Sequence, residues 1–448
     1  ISLSLYDRSC PSVTEAAGAA ASSEDAAATS ASALLLSRPS HALRPPPATA
    51  ADAMLDPPEP DDDAAQPPRA PVAAASPRGL VLACADLLHR GDLDGARRAA
   101  GAALSGADPR GDAADRLAHH FARALALRAD EGRSSVGPPA AVGVGVAPAS
   151  SAAHLAYNKI APFLRFAHLT ANQAILEAAA GARRVHIVDL DAAHGVQWPP
   201  LLQAICDRAD AAVGPPEVRI TGAGPDLDVL LRTGDRLRAF ASSLNLPFRF
   251  HPLLLPCTAQ LAADRAACLE LHPDETLAVN CVLFLHRLSG DGELTAFLRW
   301  VRSMNPAVVT IAERQGEAGR GEDDDDLPRR VAAAMDFYSA VFDALEATVP
   351  PGSAERLAVE QEILGTEIDA VVAGPGSGGG RPRSFEAWTA AARAAGLSPW
   401  PASTFAVSQA RLLLRLHYPS EGYAAEEAGG ACFLGWQTRT LMSVSSWH

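Results

Sequence analysis

Four polar residues between positions 189 and 197 are the clearest candidates for chemistry in this sequence. Asp189 and Asp191 follow a short apolar stretch, and His194 and Gln197 come a few residues later. Two carboxylates and an imidazole could bind a metal ion or act as a general acid and a general base. We favour the alternative that the aspartates fix the loop and cap the next helix, while Trp198 packs in the core.

Two further polar residues end later apolar strands. These are His286 and Glu313, and we expect them to reach the same edge of the sheet as Asp189, where ligands of open α/β sheets bind. The candidate cleft is therefore made of Asp189, Asp191, His194, His286 and Glu313. Polar residues at strand ends, such as His286 and Glu313, more often form a buried, hydrogen-bonded pair than a ligand site. Since no HExxH, P-loop or Gly-x-Ser-x-Gly motif occurs, we predict no catalytic residue, no metal centre and no cofactor.

The elements that position these residues alternate between strands and helices. Residues 185–190 are apolar and β-branched, and a polar loop leads from them to a helix that Pro199 can open. Strands are predicted at 218–221, 248–251, 276–283 and 307–312, with helices at 226–244 and 293–304. Gly222-Ala223-Gly224 is predicted to turn the chain after the second strand. This order indicates a Rossmann-like α/β fold with a doubly wound, mainly parallel sheet.

Helical periodicity precedes the sheet. Apolar residues recur at helical spacing from position 80 onward, and Asp92 and Asp112 are placed to cap helices. A capping-box spacing predicts that another helix begins at Thr170. We therefore expect an N-terminal helical cap over residues 78–180.

Short strands follow the last helices. Residues 423–427, 431–436 and 441–447 predict three short strands, with Gly429-Gly430 at one turn, and so a C-terminal antiparallel meander. Trp436 and Trp447 are expected to be core residues on adjacent strands. The α/β core is predicted to span residues 181–448.

The order of elements also resembles that of methyltransferases that use S-adenosylmethionine, but two binding features are missing. Those enzymes have a Gly-rich loop after the first strand and an acid after the second. Residues 191–195 contain one glycine, so the backbone cannot approach a cofactor as closely. No acid follows Thr221 in the Thr-Gly-Ala-Gly sequence. Methyl transfer is therefore the least favoured interpretation.

Charge and composition exclude further classes of protein. The chain has 38 basic and 52 acidic residues, for a net charge of −14, and its basic residues cluster in pairs at most. Since non-specific DNA affinity comes from neutralising phosphates, this balance argues against an extended DNA-binding surface.

Seven scattered cysteines favour reduced thiols in a cytosolic or nuclear protein. No apolar run reaches the ~18 residues of a membrane span, so no membrane partner is predicted.

Two segments could act outside a folded core. Residues 1–77 hold 12 of the 35 prolines with long Ala/Ser runs, which predicts a disordered N-terminal arm. Residues 227–231 match the LxxLL motif, a short helix that docks in coactivator grooves. A helix packed on a sheet needs the same apolar spacing, and we favour core packing.

Two long motifs resemble those of the plant GRAS proteins. VHIVDLDAAHGVQWPPLLQAI, residues 185–205, resembles their VHIID signature, and GWQTRTLMSVSSW, residues 435–447, resembles their C-terminal SAW motif. Residues 328–362 resemble the PFYRE region of the family. Within that family, the residues of these motifs most resemble the Lateral suppressor and Monoculm branch. This resemblance implies a GRAS domain over residues 78–448, with a Rossmann-like core and a helical cap.

The resemblance also implies a function. GRAS proteins are nuclear plant transcription regulators without catalysis, which act as scaffolds for other transcription factors or GRAS proteins, in some cases as dimers. In the Lateral suppressor branch they control axillary meristem formation and shoot branching. The alternative is direct, sequence-specific DNA binding. The family motif residues, which we take to be structural, are Val185, His186, Ile187, Val188, Asp189, Gly195, Gln197, Trp198, Arg356, Glu360, Trp388, Gly396, Gly435, Trp436 and Trp447.

Overall fold

A computed structural model of the chain describes most of the region after the predicted arm. The described residues are 76–134, 150–192, 194–255, 269–288, 290–316, 326–374, 383–418 and 420–448. The predicted disordered arm lies outside them, apart from its last two residues.

Among the residues that the structure describes, five helices precede the sheet, and side-chain caps mark the start of several of them. They are α1 (Pro77–His89), α2 (Leu93–Gly106), α3 (Ala113–Ser134), α4 (Ser151–Ile160) and α5 (Phe163–Ala178). Asp92 caps α2 by accepting from Gly95 N at 2.8 Å, and Asp112 caps α3 by accepting from Asp115 N at 2.9 Å. The predicted helix start at Thr170 is wrong, because Thr170 lies in the middle of α5. The chain breaks instead at Pro162, which has no N–H to continue helix α4.

The described residues contain nine strands, which form one sheet. They are β1 (Arg184–Asp189), β2 (Glu217–Gly224), β3 (Phe248–Leu254), β4 (Thr276–Val282), β5 (Val308–Arg314), β6 (Pro399–Trp400), β7 (Tyr423–Ala428), β8 (Ala431–Trp436) and β9 (Arg439–Trp447). Their order is β3-β2-β1-β4-β5-β9-β8-β7, with β6 beside β9. Strands β1 to β5 are parallel, and β9, β8 and β7 run antiparallel. The predicted doubly wound sheet with an antiparallel end is therefore confirmed.

The described residues contain eight further helices, some of which cover the two faces of this sheet. They are α6 (Trp198–Asp207), α7 (Leu227–Ser243), α8 (Asp291–Ser303), α9 (Leu327–Thr348), α10 (Ala354–Ala358), α11 (Gly365–Ala373), α12 (Phe385–Ala394) and α13 (Thr404–His417). A π-helical turn, Val359–Leu364, joins α10 to α11. Of the helices that the structure describes, none combines the length and the apolar character needed to cross a membrane.

Three apolar clusters form the core. One packs Ile187 of β1 against α6 and α7, and a second packs Val279 of β4 against α8 and α12. The third joins the helical cap to α9 and the meander. Trp436 and Trp447 are both buried, but Trp436 belongs to the third cluster and Trp447 to the second. They are far apart because β9 pairs with β8 at one end and with β5 and β6 at the other.

A buried ionic cluster holds the helical cap to the C-terminal half of the chain. Arg116 of α3 donates from Nε to Glu360 Oε2 at 2.9 Å and from Nη1 to Glu346 Oε2 at 2.8 Å. Arg116 and Glu360 are both buried, and Arg356 Nε lies 3.6 Å from Glu360 Oε1. Arg356 and Glu360, two of the family motif residues, therefore belong to the buried ionic cluster that holds the cap to the C-terminal half.

Replacing Arg116 with alanine should destabilise the protein strongly. Loss of the guanidinium leaves the Glu360 carboxylate buried without its main partner, which costs about 3–5 kcal/mol of unfolding free energy. Arg90→Ala is the matched control, because Arg90 pairs with Asp86 on the surface at 2.7 Å and such pairs contribute about 0–1 kcal/mol. Urea unfolding measures both values. Equal losses in the two variants would contradict the assigned role.

Candidate functional site

Buried polar side chains fill the sheet edge where ligands bind in related folds. The strand order reverses between β1 and β4, and their carboxyl ends flank this switch point. Asp189, at the end of β1, accepts hydrogen bonds from Trp198 Nε1 at 2.9 Å and from Asn280 Nδ2 at 3.1 Å. Asn280 and Gln197 also pair through their amides, at 3.1 Å and 3.0 Å.

Two more residues extend this cluster to neighbouring elements. Asn172 of α5 donates to the Gln197 backbone carbonyl at 2.9 Å and accepts from Gln197 Nε2 at 3.1 Å. Thr310 of β5 donates to Asn280 Oδ1 at 2.8 Å. We name the six buried residues the Asp189 network, which consists of Asn172, Asp189, Gln197, Trp198, Asn280 and Thr310. It ties α5, β1, α6, β4 and β5 together at one point.

The electrostatics of Asp189 reflect this burial. Burial raises the pKa of its carboxyl to about 7, although the hydrogen bonds from Asn280 and Trp198 favour the ionised form and lower it. A carboxyl with such a pKa could serve as a general acid or base in an open cleft. Here its oxygens are already engaged by protein donors, so the arrangement favours a structural role.

Two glycines beside the network are explained by close packing. A Cβ atom at Gly222 would lie 2.6 Å from Cζ of Phe250 and 2.8 Å from Cβ of Ala192. A Cβ atom at Gly195, where φ is +65°, would lie 2.6 Å from Cγ2 of Thr233. The predicted turn at 222–224 is wrong, because these residues belong to β2. Side chains of β3 and α7 therefore occupy the space beside these glycines.

The later pair of cleft candidates is also engaged. His286 Nδ1 lies 3.0 Å from Glu313 Oε2, and Glu313 Oε1 accepts from the backbone N of Leu285 at 2.6 Å. Glu313 is buried at the end of β5, and His286 is partly exposed. His286 and Glu313 therefore form the hydrogen-bonded pair that was the expected alternative to a ligand site.

The remaining cleft candidates face outward. Asp191 forms an ion pair with Arg287, which joins the loop after β1 to the turn after β4. His194 is exposed, and its backbone carbonyl accepts from Arg236 Nη2 at 3.0 Å. The five candidates therefore lie near one edge, but they are divided between the network, an ion pair, a His–Glu pair and an exposed loop.

His186 has a separate buried environment on the other face of β1. Its Nδ1 lies 3.1 Å from Nη2 of Arg219, and its Nε2 lies 2.9 Å from Oγ1 of Thr221. Because Arg219 can only donate, Nδ1 accepts and Nε2 carries the proton. Burial lowers the pKa of His186 to about 4, and the adjacent Arg219 acts in the same direction. His186 is therefore a neutral structural residue at pH 7.

The other motif residues also make packing contacts. Val185, Ile187 and Val188 are buried in β1. Trp388 is buried, and Cζ of Arg383 lies 5.2 Å from its ring centroid. The ring of Trp436 packs edge-on against that of Tyr423, with 4.8 Å between the ring centroids. Gly396 follows α12 and Gly435 lies in β8.

The LxxLL motif is divided between core and surface. Leu230 is buried against the sheet, whereas Leu227 and Leu231 are exposed. A docking helix of this type presents all three leucines to its groove. Since α7 cannot release Leu230 without losing core packing, the structure argues against docking through this motif.

Sequence reasoning missed three members of the Asp189 network. Asn172, Asn280 and Thr310 come from a helix and two strands that lie far apart in the chain. The only local signal was a polar residue within an otherwise apolar strand, as in Ala278-Val279-Asn280-Cys281. A buried asparagine in a central strand needs hydrogen-bond partners, and this rule would have identified Asn280.

Two small cavities in the described part of the chain, of about 10 Å³ and 20 Å³, lie along α5, and neither is lined by Asp189. Within the same part of the chain, no three His, Cys, Asp or Glu residues are grouped so that they could hold a metal ion.

Comparison with known proteins gives consistent matches. The GRAS domain family model matches residues 77–448. Protein MONOCULM 1 of Oryza sativa subsp. japonica is 68% identical over 392 residues, covering 83% of this chain and 88% of the relative. Scarecrow-like protein 18 of Arabidopsis thaliana is 47% identical over 305 residues, covering 66% of this chain and 67% of that protein. The crystal structure of SCL7 in Oryza sativa aligns with a TM-score of 0.67 and 33% identity, covering 83% of this chain and 99% of that chain.

Replacing Asn280 with alanine should destabilise the fold through the Asp189 network. The change removes an amide that contacts Asp189, Gln197 and Thr310, and leaves their buried polar atoms without that partner. We expect a loss of about 2–4 kcal/mol in unfolding free energy from unpaired groups and a small cavity. Gln203→Ala, which removes an exposed amide bonded to Asp207 at 2.7 Å, should change it by less than about 0.5 kcal/mol. Chemical denaturation measures both, and a loss below about 1 kcal/mol for Asn280→Ala would refute the network's importance.

Proposed function

Since the chain belongs to the GRAS domain family of plant regulators, we propose that it regulates transcription in the nucleus as a scaffold for partner proteins and catalyses no reaction. The partners in this proposal are other transcription factors or GRAS proteins, including a second copy of the chain. Contact with DNA is made through these partners.

The observation that carries the proposal is the filled sheet edge. In a Rossmann-like enzyme this edge is the place where cofactor and substrate meet. Here the Asp189 network occupies the switch point, and Phe250 and Ala192 occupy the space beside Gly222. A site whose polar groups bond one another supports a structural use of the fold. It also argues against methyl transfer, the least favoured alternative.

Charge supports indirect contact with DNA. The net charge is −14, and several exposed arginines near the sheet are paired with acids. Arg249 Nε lies 3.0 Å from Glu217 Oε1, and Arg184 forms ion pairs with Glu217 and Asp274. An arginine that neutralises a carboxylate is less available to a phosphate. Direct, sequence-specific DNA binding is therefore the second candidate.

Selection from a random DNA duplex pool distinguishes these two candidates. With the purified full chain, we expect no enriched sequence and only weak retention at low salt in mobility-shift assays. Phosphate contacts would instead give a steep loss of affinity with salt. Enrichment of one motif at sub-micromolar affinity, with such a salt slope, would replace the scaffold proposal with direct DNA binding.

We further propose that the chain acts in axillary meristem formation and shoot branching. The support is its 68% identity to Protein MONOCULM 1, together with the resemblance of its motifs to the Lateral suppressor branch. Expression of the chain in rice that lacks this relative should restore side shoots, measured as the number of tillers per plant. The Arg116→Ala variant is the control for a folding requirement. Wild-type protein that accumulates in the nucleus without restoring tillers would refute this role.

A further inference from the structure

One amino-acid type is almost absent from this chain. Lys159 is the one lysine among the 448 residues, so the other 37 of the 38 basic residues are arginine. Lysine is ordinarily among the commoner residues of globular proteins. The two side chains carry the same charge, but the guanidinium of arginine stays protonated, whereas the amine of lysine becomes a nucleophile when it loses its proton. These residues therefore offer one side-chain amine to reagents that acylate nitrogen.

Lys159 lies where the helical cap meets the C-terminal half of the chain. It belongs to the last turn of α4, and its Nζ lies 2.8 Å from Oε1 of Glu355 in the first turn of α10. The two helices pack against each other. The side chain of Lys159 is 67% exposed and that of Glu355 is 46% exposed, so the amine is open to solvent.

The backbone on both sides of Lys159 is held in place. The carbonyl of Asn158 accepts a hydrogen bond from Tyr418 Oη at 3.1 Å. Tyr157 and Ile160 are both buried. The exposed side chain of Lys159 therefore projects from a backbone that is fixed by its neighbours, and its amine is presented at a defined place on the surface.

The ion pair with Glu355 does not require a lysine. Helix dipoles stabilise a cation at the end of one helix and an anion at the start of another, and arginine supplies that positive charge equally. Arg90 does so immediately after α1, where its Nη2 lies 2.7 Å from Oδ2 of Asp86. The side chain of Arg90 is 70% exposed and that of Asp86 is 42% exposed, values close to those of the Lys159 pair. Position 159 is therefore distinguished by its amine and not by its charge.

We propose that Lys159 is an acylation site, at which the amine accepts an acyl group from a thioester. Nζ forms an amide bond with the acyl carbon, and the carbon–sulfur bond of the thioester breaks. The ammonium group loses two protons, one to the departing thiolate and one to water. The donor is a small acyl thioester or the thioester-linked carboxyl terminus of a protein, since both present the same reactive group.

Acylation changes the contact between α4 and α10. An amide at Nζ carries no charge, so the ion pair with Glu355 is lost. Because this pair is exposed, its loss costs little stability and the fold is retained. The modification thus alters the charge and shape of the surface where the cap meets the C-terminal half. This inference goes beyond the proposed scaffold function and does not depend on it.

Incubation of the purified full chain with a plant shoot extract tests the proposal in two arms. One arm contains isotope-labelled acetyl-coenzyme A, and the other contains ATP and tagged ubiquitin. We expect label on Lys159 in at least one arm, and that arm identifies the donor. Trypsin cleaves after Arg133, Lys159 and Arg165, so acylation converts the peptide 134–159 into an uncut peptide 134–165. Peptide mapping also separates label on lysine from label on the amino terminus.

Two variants separate the amine from the charge and from the position. Lys159→Arg keeps the charge and the ion pair, so it should fold as the parent chain does and lose all label on this peptide. Lys159→Arg combined with Arg90→Lys moves the amine to a site of matched exposure and should not regain the label. Thermal unfolding checks that both variants fold.

Three results would overturn the proposal. The first is the absence of label from the parent chain in both arms. The second is label on Lys159→Arg at the parental level. The third is label on the combined variant, which would mean that any exposed amine is acylated and that position 159 is not selected. The DNA selection is independent of these assays, so the scaffold function stands or fails separately.

Discussion

The hydrogen bonds that converge on Asp189 and Asn280 are the interaction on which the rest of the structure depends. Asp189 accepts from Trp198, Asn280 pairs with Gln197, and Asn172 reaches the same amide from α5. Each group is buried, so each would be costly if it lost its partner. The network therefore requires β1, β4, α5 and α6 to be in their native places together.

Completion of this network changes what the fold can do. A Rossmann-like sheet normally leaves a crevice at its switch point, where backbone and polar side chains await a ligand. In this chain the same position is occupied by protein amides and an aspartate, and Phe250 lies against Gly222. The buried hydrogen bonds at this position contribute to the stability of the fold.

A second set of buried polar contacts holds the helical cap. Arg116 reaches Glu360 across 244 positions in the sequence, and Glu360 is also near Arg356. Burial favours the neutral form and raises the pKa of Glu360, whereas Arg116 opposes this rise. The ion pair therefore stabilises the charged form of this buried carboxylate against the cost of burial. The cap, α9 and the meander share one apolar cluster, so the cap and the sheet are parts of one folded body.

The sequence by itself determined the order and class of the elements, because their signals are local. Apolar runs, helical spacing and capping residues such as Asp92 depend on neighbours in the chain, and they were sufficient to predict the parallel sheet, the cap and the meander. The motifs around Asp189 and Trp447 were sufficient to predict the family. Only the tertiary structure decided which polar residues meet, because Asn172, Asn280 and Thr310 reach Asp189 from separate elements. The tertiary structure also determined that Gly222 continues strand β2. Phe250 packs in the space that a side chain at position 222 would occupy. Contacts between distant segments depend on three-dimensional packing, which no local pattern of residues contains.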